Sequence, residues 1–423
     1  MNDLELHLDF RLARREEADR KMKELLVRAV EGFFAGYPRE KVRSLILTGA
    51  MSRGEGSCEL VDGESLIYSD YDLLVVLDSH EDVLEARTLF PKLARRLTDT
   101  LRGREFCSHV DFAPITGEYF GKMKPSMFNV EIAEHGKTVW GEKLSSLNVV
   151  EPDPGQIPVD DALTLLFNRI AAQLVMVDSL RRPDSGEGRF AFYHNGKIFL
   201  DIVSCVLVLE RDYRPTYRER LGAITGRSGR FTSRLPGLAE EASFWTEYKL
   251  DPSTRRVCQR YSSADVLTED SVVAMQIWNL LIPKMEETFN LCMEEAFKVK
   301  DVPLGAALLI YLRRKGLLRR LREYRSYSSR AFPASEKWRV RPLRFFLRGA
   351  PLELTYAAAA MLLFSVETLG IDSVALRDKS YVREAALFLP AEVSAPGRLE
   401  EQWETLREAT TEIWRLMVKG GAY

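Results

Sequence analysis

Apolar positions over residues 9–34 recur at helical spacing (Leu12, Met22, Leu25, Leu26, Ala29, Val30, Phe33, Phe34), and Gly36-Tyr37-Pro38 stops the pattern. The period then changes. Leu45-Ile46-Leu47-Thr48 reads as a strand running into a glycine-rich turn, Gly49-Ala50-Met51-Ser52-Arg53-Gly54. Asp70-Tyr71-Asp72-Leu73-Leu74-Val75-Val76 reads as a second strand, 81–101 as a helix, and 106–115 as a third strand with Asp111 between Val110 and Phe112. Residues 57–68 lie between the turn and the second strand; the turn signal Asp62-Gly63 inside them predicts a hairpin or loop. A helix or strand over 125–135 leads into Gly136-Lys137-Thr138-Val139-Trp140-Gly141. Three prolines within 151–158 mark a boundary, beyond which the pattern is helical: 160–180, 197–211, 271–299, 304–325, 352–369 and 399–419. The expected fold class is α/β, a mixed sheet with flanking helices, followed by a mainly α-helical C-terminal region. At 423 residues the chain is too long for one core, and three domains are expected: 1–150, 151–300 and 301–423.

Alternation along a strand puts Asp70 and Asp72 on the same face. Two carboxylates that close repel each other unless a cation lies between them. Mg²⁺ or Mn²⁺ meets that need through carboxylate oxygens and shares its shell with substrate phosphates. Glycines let backbone N–H groups approach a phosphate, which makes Gly49, Ala50, Ser52, Arg53 and Gly54 candidate nucleotide-binding residues. For Arg53 the choice is between a phosphate and an ion pair with Glu55. If the Asp111 strand lies beside the Asp70/Asp72 strand, three carboxylates converge, and two metal ions about 3.5–4 Å apart can clamp both oxygens of a phosphoryl transfer. His109 shares the face of Asp111, either as a partner to a metal ligand or substrate or as a scaffold group.

The order of these features, a glycine turn, then Asp-x-Asp on the next strand, then a lone Asp on a later one, resembles the nucleotidyltransferase superfamily related to DNA polymerase beta. The resemblance covers the first third of the chain and implies an α/β nucleotidyltransferase core over 1–150. It implies metal-dependent transfer of a nucleoside monophosphate from an NTP to an acceptor hydroxyl, with release of pyrophosphate. Asp70 and Asp72 would bind two Mg²⁺ or Mn²⁺ ions and Asp111 the catalytic one. A helical domain, 151–300, would complete the nucleotide and acceptor cleft, with Lys197 touching phosphates; otherwise Lys197 is a solvated lysine at a helix start. Two departures stand out. Ala50 follows Gly49 where the family has Gly or Ser, so Ser52 or the backbone must replace a hydroxyl, and the 57–68 stretch lengthens the gap to Asp70. Neither removes a metal ligand. The acceptor, whether small molecule, nucleotide or protein, is not written in the sequence. A synthase of cyclic or linear oligonucleotide signals is the first alternative, and a non-catalytic nucleotide-binding scaffold the second.

Composition adds less. A formal net charge of −2 gives no overall pull toward nucleic acid or membrane, and no uninterrupted apolar run reaches transmembrane length. Five scattered cysteines without a Cys-x-x-Cys pair, together with a charged N-terminus, give a reduced, cytoplasmic protein as the expectation. Charge is nevertheless segregated: residues 313–348 hold 13 Lys or Arg against Glu323 and Glu336, with Tyr324, Tyr327, Phe332, Trp338, Phe345 and Phe346 interleaved. Such a segment either meets an anionic partner or is paired internally. Tyr213, Tyr217 and Arg220 either line an acceptor pocket or pack an interface.

Overall fold

The computed structural model describes residues 4–61, 64–102, 109–182, 188–226, 229–262, 269–314, 316–331, 339–340 and 346–418. The chain forms two compact units, each from two segments: Met1–Asp161 with Val206–Ser253, and Ala162–Cys205 with Thr254–Tyr423.

The first unit opens with helix α1 (Glu16–Gly36), strand β1 (Val42–Thr48) and the short helical turn α2 (Gly49–Ser52). A hairpin of β2 (Cys58–Val61) and β3 (Glu64–Ile67) follows; its register closes Val61 on Glu64, so 62–63 are the connecting residues and lie outside the described set. Then come β4 (Tyr71–Leu77), α3 (His80–Leu101), β5 (Val110–Thr116), α4 (Met127–His135) and β6 (Lys137–Gly141). Of the expected 106–115 strand, 106–108 lie outside the described residues. Strand order in the sheet is β5-β4-β1-β6, with β4 and β5 parallel and β1 antiparallel to both of its neighbours. A parallel pair needs a crossover, and α3, capped by the Ser79 hydroxyl accepting from the Asp82 N–H, supplies it.

Period-2 alternation gives the sheet two buried faces. Leu45, Leu47, Leu73, Val75 and Phe112 pack with Leu26, Phe33 and Phe90 from α1 and α3. Ile46, Leu74 and Val76 pack with Phe120 and Ile132. Asp72 has the parity of Leu74 and Val76, and Asp111 is out of phase with Phe112, so both belong to this second face, at its end.

Helices α5 (Val159–Leu180) and α6 (Gly188–Leu209) each cross a unit boundary, and α7 (Tyr217–Ile224) and α8 (Leu238–Leu250) complete the first unit. The proline-rich 151–158 stretch, read above as a domain boundary, is internal to that unit. Arg211 Nη1 donates to the Ile157 carbonyl (3.0 Å) and fixes it there. Three consecutive domains are thus replaced by two units that exchange chain inside helices.

The second unit is helical: α9 (Thr254–Tyr261), α10 (Asp270–Phe297), α11 (Leu304–Arg313), α12 (Leu317–Ala331), α13 (Pro351–Phe364), α14 (Lys379–Phe388) and α15 (Leu399–Val418). Short pairs β7 (Arg339–Val340) with β10 (Ala391–Glu392), and β8 (Val366–Leu369) with β9 (Val374–Leu376), accompany them. Helix α13 is buried on almost every side, which is the pattern of a core helix. Tyr356 on it stacks on Phe167 (5.2 Å) and donates to Asn168 (2.7 Å), and its Leu362 carbonyl accepts from Trp403 Nε1 (2.9 Å). The expected 304–325 helix breaks before Gly316 into α11 and α12, and the expected 352–369 helix ends at Phe364. Helices α5 and α6 are long and apolar enough to cross a membrane by length and composition, where no such run is expected from sequence. Both are mostly buried within the protein, and Arg169 of α5 pairs with Asp201 of α6.

A buried ion cluster braces the first unit around its turn. Arg53 pairs with Glu55 (3.1 Å) and with Glu131 on α4, and Arg220 on α7 pairs with the same Glu131. Tyr213 donates its hydroxyl to Glu131 (2.6 Å), and the Tyr217 N–H donates to Glu55 (2.9 Å). Two guanidinium groups facing two carboxylates is a compensated arrangement; removing one member leaves buried charge unpaired. Burial alone would raise the Glu131 pKa, but Arg53 and Arg220 overcome it and hold the carboxyl below its ordinary 4.5. Stability from Glu131 is therefore present above pH 4.5 and is lost as pH falls through its depressed pKa. Glu131→Ala is expected to cost about 3–5 kcal/mol in urea unfolding. Glu131→Gln, which keeps the shape, should flatten the dependence of the urea midpoint on pH below 4.5. A midpoint that falls equally steeply in both proteins would contradict this reading.

Candidate active site

The parallel pairing of β4 with β5 sets Tyr71 against Val110 and Asp72 against Asp111, and the Tyr71 N–H donating to the His109 carbonyl (3.0 Å) extends the pairing by one step. The strands are well anchored. Tyr71, fully buried, donates its hydroxyl to the Met22 carbonyl (2.7 Å), and the Val110 N–H donates to the Thr98 hydroxyl (3.0 Å). Directly opposed residues of parallel strands share a face, so Asp72 and Asp111 stand side by side with Asp70 two residues earlier. The sequence expectation that these three aspartates are gathered at one edge holds.

His109, expected on the face of Asp111 as a partner to a metal ligand or as a scaffold group, lies among them, and its reach to Asp70 is the part the sequence did not show. His109 bridges two of the carboxylates: Nδ1 is 2.9 Å from Asp70 Oδ1, and Nε2 is 2.9 Å from Asp111 Oδ2. Partial burial disfavours a charged imidazole, but the Asp70 and Asp111 carboxylates more than reverse that and raise its pKa to about 10. That shift favours the imidazolium at neutral pH, between Asp70 and Asp111. The signal was the i, i+2 spacing of His109 and Asp111 on one strand face.

Strand β1 brings the turn to the same place. Thr48 pairs with Asp72, and its hydroxyl donates to the Asp72 carbonyl (3.1 Å). Gly49 follows with φ +72°, and a Cβ at that position would stand 2.7 Å from Asp72 Oδ2. Glycine is thus required twice, for the left-handed backbone and for the carboxylate above it. Gly54, φ +70°, closes the turn, with its N–H donating to the Met51 carbonyl (3.0 Å), and the Glu55 N–H donates to the Ala50 carbonyl (2.9 Å).

Two candidate phosphate contacts are used elsewhere. The Ser52 hydroxyl, buried, donates back to the Gly49 carbonyl (2.9 Å), so it serves the turn and does not replace the hydroxyl missing at Ala50. Arg53, with its side chain 3% exposed, lies in the ion cluster, because Glu131 and Glu55 offer it two buried carboxylates. Gly49 and Ala50 stay half-buried beside Asp72. Lys197 lies in the second unit, in the middle of α6 and not at a helix start, because the helix begins at Gly188. Tyr213, Tyr217 and Arg220 join the ion cluster of the first unit. A further cation emerges in Lys249, buried on α8, with Nζ 3.3 Å from the Ser69 hydroxyl, the residue before Asp70. Its only trace in the sequence is a lysine next to Tyr248 in the run Trp245-Thr246-Glu247-Tyr248-Lys249-Leu250.

Among the described residues no group of three or more His, Cys, Asp or Glu side chains forms a ready-made metal cage. The donor chemistry at β4 and β5 nevertheless fits a hard divalent cation. Carboxylate oxygens are its preferred ligands, and two of the three aspartates already share a positive charge. Compared with protein-family models, curated proteins and solved structures, the chain matches none.

Gly49→Ala is expected to destabilise the protein by about 1–2 kcal/mol from the positive φ alone, and by more because Asp72 must move. Gly226→Ala is the control, since φ there is +76° with nothing within 4 Å of a Cβ. Equal unfolding costs for the two variants would show that Asp72 does not bear on Gly49.

Proposed function

We propose that Asp70, Asp72 and Asp111 form the centre of a metal-dependent nucleotidyltransferase on an α/β core of that kind. The observation that carries the reading is the register of β4 with β5, which sets Asp72 against Asp111 beside a glycine-first turn, with His109 joining Asp70 and Asp111. Asp70, Asp72 and Asp111 would hold two divalent ions, Mg²⁺ or Mn²⁺. When bound, such ions neutralise the triphosphate and acidify the acceptor hydroxyl.

The acceptor oxygen attacks the α-phosphorus of an NTP; the new O–P bond forms as the bond to the β-phosphate oxygen breaks, and pyrophosphate leaves. A carboxylate of the cluster takes the hydroxyl proton. The half-buried backbone at Gly49 and Ala50 lies against Asp72, where a triphosphate bridged to that carboxylate would sit. His109 must release Asp70 and Asp111 for both to turn to the substrate. Catalysis of this type is mostly positioning and charge neutralisation.

Incubation with each α-labelled NTP and Mg²⁺ or Mn²⁺ tests the reading. Pyrophosphate release with the label moving to an acceptor is expected, and a label that joins nucleotide to nucleotide identifies a signal synthase. Asp70→Ala/Asp72→Ala should lower turnover by about a hundredfold or more, with far-UV dichroism unchanged. Asp111→Asn should remove transfer but retain metal–nucleotide binding. Nucleotide binding without pyrophosphate release in the unaltered protein would replace the enzyme with a binding scaffold.

A further inference from the structure

Helix α12 is amphipathic the wrong way round. Among the described side chains of this helix Arg320 and Tyr324 are buried, whereas Leu317, Leu318 and Leu321 are exposed, Leu318 to 75%. Helical spacing sets these leucines on one face with Arg322 and Arg325, both exposed, and the helix's one acid, Glu323, is half-buried.

The inversion has a structural cause. Arg320 donates to the Leu312 carbonyl at the end of α11 (2.9 Å) and to the Leu347 carbonyl (3.0 Å), a task that turns it inward and the leucines outward. Tyr324 packs edge-on against Phe346 (5.6 Å), and Arg348 donates to the Leu387 carbonyl at the end of α14 (2.7 Å). These bonds tie together three segments whose Leu347 and Leu387 are also exposed, to 75% and 53%. These five leucines, Leu317, Leu318, Leu321, Leu347 and Leu387, therefore face solvent on the second unit together with exposed Arg313, Arg322, Arg325 and Arg348.

Single exposed leucines are ordinary, but a cluster tied together in this way marks a surface that something covers. The arginines decide what. A second copy of the same surface would set arginine against arginine. An anionic bilayer accepts leucines at the headgroup–acyl boundary and arginines at the lipid phosphates. We propose that α12, with Leu347 and Leu387, docks the protein peripherally on an anionic membrane surface.

The test uses the full chain and co-sedimentation with phosphatidylcholine vesicles, with and without phosphatidylserine. Binding is expected only with phosphatidylserine and should weaken as salt rises. Leu317→Asp/Leu321→Asp should abolish it, and Arg322→Ala/Arg325→Ala should weaken it by about fivefold per arginine. All four side chains are exposed, so the melting temperature should not change. Failure to bind the mixed vesicles, or equal binding by the leucine variant, overturns the proposal. So does a dimer in light scattering that the leucine variant dissolves, which would assign the surface to a second copy.

Discussion

Everything at the candidate site depends on the parallel pairing of β4 with β5. That pairing sets Asp72 against Asp111, and strand alternation adds Asp70 to the same face. Gathering like charges is unfavourable: two unit charges at about 4 Å repel by roughly 4 kcal/mol at the effective dielectric of a protein surface. The fold places His109 between Asp70 and Asp111, where the imidazole is held protonated. The proposed function rests on the strand register that puts these aspartates together; a metal ion would have to displace the His109 imidazole from Asp70 and Asp111.

The second constraint is the turn. Gly49 leaves room for the Asp72 carboxylate, and the bonds from Ser52, Gly54 and Glu55 close the turn on itself. Arg53 and Glu55 then tie it to α4 and α7 through Glu131 and the Tyr217 N–H. The turn's polar side chains thus serve its rigidity, and what remains for a ligand is backbone beside Asp72.

Much of this was legible in the sequence, and the parts that were not share a physical origin. Asp70, Asp72 and Asp111 could be read because strand alternation and a glycine turn are local patterns. The hairpin before Asp70 was legible for the same reason, since β2 and β3 close over two residues. For Arg53 the local alternative, an ion pair with Glu55, is the one the structure shows, while its second partner, Glu131, lies 78 residues away and the Ser52 acceptor is a backbone carbonyl; neither has a local sequence signal. His109 was placed on the correct face, but its bridge to Asp70 is a tertiary contact. The compact units divide the chain differently from the three expected segments: 151–158 is rich in proline yet is fixed by Arg211, while the unit boundaries lie inside the helices α5 and α6, where composition gives no signal.

The most direct test is whether the aspartate cluster holds a divalent ion. Mn²⁺ titrated into the protein with a non-hydrolysable NTP analogue can be followed by the loss of its free-ion paramagnetic resonance signal. The protein is expected to deplete that signal saturably, with the depletion lost in Asp70→Asn/Asp72→Asn while the fold remains intact. Equal depletion by the protein and the double variant would contradict the assignment of these carboxylates as the metal-binding centre.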